Sequence, residues 1–238
     1  MLNLMERSQD AVEQLRRIMD TVAFDLRVAC PGIIRSVDPA RQTCTVQLAI
    51  RERLKRGEGR VENVDIPELL DVPFFVYTGG GYCLTLPVKP GDDCLVVFGD
   101  NCMDAWWQSG GVQNQVERRR HDLSDGFAIV GFRSQPAVVS GYSAKTAQLR
   151  NKSGDAYIEI SGSDINIVAA GKINVQSSSD MNISSNKSLS MHSTDKSTFT
   201  GSDIAIGSGG NTVIDQKNFL NHVHDGVEPG DGTTGGVA

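Results

Sequence analysis

The stretch that decides the fold runs from Asp164 to Met191, "DINIVAAGKINVQSSSDMNISSNKSLSM". Aliphatic pairs return through it at Ile165/Ile167, Ile173/Val175, Met181/Ile183 and Leu189/Met191, each pair eight residues after the last. Two residues separated by one share a face of a strand, so each pair predicts a short strand with both aliphatics pointing the same way. Small polar linkers, "SSSD" and "SSNK", turn the chain between strands. The pattern begins upstream with Ile158/Ile160 in "YIEI". After "STDK" it stumbles, then resumes at Ile204/Ile206 in "DIAI".

One such rung buries only two side chains, too little to offset the ordering of its own backbone. The rungs must therefore stack, as in solenoids, and several chains are needed to share one core. Two architectures compete. A single-chain left-handed β-helix would show a six-residue period with one small aliphatic per turn, and no such pattern is present. A three-chain β-helix about a common threefold axis fits the eight-residue step and the two inward residues. It also covers strand edges that a thin ladder would expose.

Outside this stretch the composition changes. Up to Arg150 the 238-residue chain carries eleven of its fourteen aromatics, seven of its eight prolines and every arginine. Beyond it, Ser, Asn, Gly, Asp and Ile dominate, with five lysines against ten acids. That shift marks a domain boundary. Residues 27–135 read as short strands between turn signals: "GIIRSV", "CTVQLAI", "VPFFVYT", "YCLTLPV", "CLVVFGD" and "FAIVGF". Their number and spacing suggest a small sandwich or closed barrel, and a five-stranded oligonucleotide/oligosaccharide-binding-type (OB-like) barrel fits the size. Residues 4 to about 24 read as a helix, with Met5, Val12, Leu15, Met19 and Val22 close to a heptad seam. It is either an amphipathic helix on its own domain or one that docks on a neighbouring chain or larger assembly. The fold class is thus all-β with a short N-terminal helix: helix 1–26, barrel 27–135, linker 136–154, three-chain β-helix shaft 155–217 and a small apex 218–238.

The net charge of −6 gives no reason to expect nucleic acid as a partner. No apolar run approaches the roughly 18 to 20 residues of a membrane span. The N-terminus lacks an apolar signal core, so synthesis in a cytoplasm is expected. The five cysteines form no CxxC and read as reduced, mostly buried thiols. Arg118, Arg119 and Arg120 form the one basic run, read as a solvated loop or a docking patch. No nucleophile–base signature or phosphate loop is present, so no enzyme is expected.

The candidate site is "NHVHDG", Asn221–Gly226. On an extended strand His222 and His224 point to one face, with Cα atoms roughly 6.5 Å apart. One chain offers too few ligands for a tight site. Three parallel chains bring six imidazoles to the axis in two triangular layers. That octahedron suits a divalent first-row metal such as iron(II) and does not suit tetrahedral zinc. Asp225 either accepts from an imidazole N–H or is a turn residue before Gly226. His121 and His192 read as surface residues. The Gly-rich end after Gly226 is either a disordered tail or the folded cap of the apex.

A strand-rich region with "VKPGDDCLVVF", an octad ladder and a terminal His-x-His together resemble the central baseplate spike of contractile-tailed bacteriophages. The closest resemblance is to the spike, or baseplate assembly protein, of Mu-like phages. The resemblance implies a homotrimer in the virion, at the tip of the tail baseplate. It implies one axial iron held by six nitrogens of His222 and His224, with other axial ions left open. It also implies attachment to hub and tail-tube proteins through the N-terminal region, and an apex that meets the host outer membrane on sheath contraction. Some relatives carry a lysozyme domain between barrel and shaft, and about twenty residues leave no room for one here. A type VI secretion-like spike and a tail-fibre or adhesin shaft would share the ladder.

Overall fold

A computed structural model describes residues 4–57, 60–206, 212–214 and 217–218. The chain divides into two compact units, Met1–Ile173 and Asn174–Ala238.

The first unit opens with α1 (Leu4–Asp25), followed by β1 (Ala29–Asp38) and β2 (Thr43–Leu48). Asp38-Pro39 makes the turn between these two strands, where the Asp38 carboxylate accepts from the backbone N–H of Ala40 and Arg41. A hairpin of β3 (Glu52–Lys55) and β4 (Val61–Val64) comes next, then β5 (Leu69–Pro73). A second hairpin joins β6 (Tyr77–Gly79) to β7 (Tyr82–Leu84), with the triple glycine at its tip. Gly80 and Gly81 sit at φ 58° and 84° there, which side chains rarely adopt. Then come β8 (Asp93–Phe98), a short helix α2 (Asp104–Ser109) and β9 (Gly126–Val130).

Five of these strands form one antiparallel sheet in the order β5-β2-β1-β8-β9. Register shifts at Ile34/Ser36 and Cys44/Val46 curl it into a half-barrel, as bulges do. Its two outer strands approach each other: Phe74 bridges Ala128 in parallel, and the Phe75 N–H donates to Ala128 O at 2.8 Å. Alternation decides which residues go inside. Cys44, Val46 and Leu48 of β2 face Cys94, Val96 and Phe98 of β8, with Ile34, Ile66, Leu69, Val72 and Ala128 completing the core. Gly32 is needed by packing, since a Cβ there would lie 2.5 Å from Val46 Cγ1. Most of the strand signals in the sequence land on this sheet. "VPFFVYT" and "YCLTLPV" are only partly strands: the first breaks at Phe75-Val76 between β5 and β6, and the second leaves β7 after Leu84 for a loop.

The first unit does not end at the composition break. A three-stranded antiparallel sheet straddles it: β10 (Ala147–Arg150), β11 (Ala156–Ser161) and β12 (Asp164–Ala169). β10 lies inside the stretch read as a linker. Stacking would make "YIEI" and "DINI" successive rungs, but here they fold back on each other across a two-residue turn, with Gly162 at φ 61°. In the described part of the second unit the last elements are β13 (Val213–Ile214) and β14 (Lys217–Asn218), which pair with each other. Residues 174–206 form no strands.

Candidate functional site

In the β10–β12 sheet, one face is apolar and bare. Leu149, Ile158 and Ile167 are directly opposite one another across the three strands, and Ala147, Ile160 and Ile165 make a second row. All five large residues are exposed. The other face is knitted together around Glu159. Its carboxylate accepts from Gln148 Nε2 at 2.6 Å, Thr146 Oγ1 at 2.8 Å and Asn166 Nδ2 at 3.3 Å. Those hydrogen bonds, Gln148 first, hold the Glu159 carboxyl below its ordinary range. The polar face is thus complete within one chain and the apolar face is not.

Downstream, the eight-residue rhythm appears in the backbone itself. The chain bends at 170–171, 178–179, 186–187, 194–195 and 202. Serines at the same step brace the bends. Ser177 Oγ accepts from Ser179 N at 3.2 Å, Ser185 Oγ accepts from Lys187 N at 3.3 Å, and Ser193 Oγ donates to Lys196 O at 3.5 Å. The aliphatic pairs between bends, Ile173/Val175 to Leu189/Met191, are each 49% to 73% exposed. Burying such a side chain contributes roughly 1.5–3 kcal/mol, and a single chain leaves that unclaimed at every position.

The bends also clarify the stumble. The pair after Leu189/Met191 falls on Ser197 and Phe199, and Phe199 is exposed like the aliphatics before it. The rhythm therefore continues through "STDK", with a serine in one column of the repeat and an aromatic in the other. At Ile204/Ile206 it shifts by one residue, as it does between Ile158/Ile160 and Ile165/Ile167. The sequence reading missed Phe199 because an aliphatic pair was the template.

Near the half-barrel, one ion-pair cluster ties down the long connection from β8 to β9. Asp125 is fully buried; its carboxylate accepts from Met103 N at 2.9 Å and from Arg119 Nε and Nη2 at 2.7 and 3.0 Å. Arg119 also reaches Asp104 at 2.7 Å and Glu117 at 3.0 Å. Hydrogen bonding to Arg119 lowers the Asp104 pKa, and the same contacts, Asp125 first, raise that of Arg119. The basic run is thus split. Arg118 and Arg120 are exposed, and Arg120 pairs with Asp100 at 2.9 Å. Arg119 is a structural clamp, neither solvated nor free to dock. Its acidic partners are scattered along the sequence, so adjacency in the chain could not reveal them. His121, read as a surface residue, is partly buried, with Nε2 3.4 Å from Asp100. His192 is exposed, and so is its neighbour Met191.

His222, His224 and Asp225 lie outside the described residues. Among the described residues, Cys102, Asp104 and Asp125 form the one group with metal-like spacing. Both carboxylates there are engaged by Arg119, whose positive charge sits where a cation would bind. That group is poorly suited to a metal. All five thiols are free; Cys44 and Cys94 are buried and Cys83 is exposed. Burial pushes the Cys44 pKa to about 11 and that of Cys94 to about 12, so these two are core residues with little thiolate character.

Residues 30–131 match the family model of the phage protein Gp138 N-terminal domain. The match runs from β1 to the end of β9, the span of the curled sheet. It supports a phage baseplate-type protein with a structural role, carried as a virion component. No curated protein matches the chain. No described helix is long and apolar enough to cross a membrane.

Proposed function

We propose that this chain is the central spike of a contractile phage tail baseplate. Three copies wrap a common axis through residues 155–217, and the assembly is driven through the host outer membrane when the sheath contracts. The observation that carries this reading is the pair of exposed inward columns on an eight-residue bend rhythm. One chain supplies every bend and no cover, and a threefold axis would cover both columns. The strand order of the curled sheet, with β5 and β9 meeting at Phe74 and Ala128, is that of an OB-like barrel and suits the base of such a spike. The family match to a phage domain at that base favours the spike over a fibre or adhesin shaft.

In this reading the protein does no bond chemistry. It transmits force along stacked strands, as a Mu-like spike would. His222 and His224 of each chain would hold one axial iron, tying three strands together where the ladder ends and fraying is easiest. The N-terminal region would attach to the hub and tail tube. The test is metal analysis of purified protein together with the mass of the assembly. One metal per three chains is expected, lost on replacing His222 and His224 by alanine. A metal-free trimer would remove the site, and a monomer at micromolar concentration would remove the spike.

A further inference from the structure

We infer that α1 is one strand of a parallel helical bundle formed with two further copies of this chain. The inference rests on the three-chain reading and extends it to the N-terminal end.

Val12, Leu15, Met19 and Val22 of α1, with Leu26 just past its end, follow one another at steps of 3, 4, 3 and 4, the seam of a coiled coil. They are 51%, 59%, 63%, 63% and 49% exposed, so α1 does not lay this seam on its own barrel. A 22-residue helix with a bare apolar stripe is marginal in water, and its stability must come from packing. Something covers the seam.

The charge pattern puts no obstacle in the way of another copy of the same helix. Glu13, Arg17 and Asp20 lie off the seam, and Glu13 pairs with Arg17 within its own helix at 3.5 Å. The seam positions themselves carry no charge, so identical helices meet without opposing like charges. Ile18 flanks the seam and Ala11 precedes it one heptad earlier, which widens the apolar stripe beyond what a two-stranded coil covers. Three residues, Leu26–Val28, join α1 to β1. Chains already held by their ladders would therefore present three seams at an effective concentration of order millimolar.

The test is disulfide trapping in the full-length protein. Leu15→Cys on the seam is compared with Gln14→Cys, one residue off it, each with the exposed Cys83 changed to serine. Under mild oxidation, linked pairs should form at least about tenfold faster from Leu15→Cys, because only seam residues come within disulfide reach of a copy. If reduced Leu15→Cys already loses the trimer, the seam is confirmed as a contact between copies. A wild-type trimer in which the two variants link equally slowly overturns the bundle and leaves the shaft reading intact; the seam would then serve a different protein. A wild-type monomer instead sinks the three-chain reading on which this rests.

Discussion

Strand β8 and the run from Ile173 to Met191 both carry apolar residues two apart, and these end in opposite states. Cys94, Val96 and Phe98 are buried because β1 and β9 flank them and β2 and β5 close the core over them. Ile173, Val175, Met181 and Ile183 are paired at the same spacing and stay exposed. Periodicity states which residues share a face. Only neighbouring strands decide whether that face is covered, and in the proposed three-chain shaft the next strand would come from another chain.

The sharpest way to break this comparison is Met181→Asp with Ile183→Asp. Each charge would appear three times around one axis, so the trimer should dissociate in sedimentation, while denaturation of the half-barrel stays as in wild type. An intact trimer would show that these residues do not face a shared core.

Arg119→Met probes the other region. It strands the buried Asp125 carboxylate without its partner, which costs about 3–5 kcal/mol by the usual penalty for a broken buried pair. Chemical denaturation should show the loss in the half-barrel, with assembly mass unchanged. A loss below about 1 kcal/mol, the value of an exposed pair, would mean the clamp is solvated after all.

The smallest effect is expected at the junction. Glu159 has a lowered folded pKa, so its contribution is complete above the ordinary glutamate value and is lost as pH falls through the lowered one. Exchange of the β10–β12 amides should therefore quicken under acid, and Glu159→Gln should flatten that response. Equal acid sensitivity in both proteins would remove the role of the carboxylate.

Much of this was legible in the chain. The strands of the curled sheet announce themselves as short apolar runs between turn residues, as "GIIRSV" and "CLVVFGD" do. The β3–β4 hairpin does not, because "ERLK" and "VENV" are too polar to leave a periodic trace. The same holds for Arg119, whose partners meet only when the loop after β8 closes. His222 and His224 are singled out by their spacing and by the repeat ahead of them, and they lie outside the described residues.

The sequence by itself determined the eight-residue step, the pairing of aliphatics two residues apart and the composition break at Arg150, because each depends only on residue order. Tertiary structure decided that "YIEI" and "DINI" form a hairpin, that the first compact unit reaches Ile173, and that Phe199 keeps the rhythm through the stumble. Those outcomes depend on which backbone is near enough to pair and on where the chain bends. Order along the chain sets the faces, and contact in space sets what they meet.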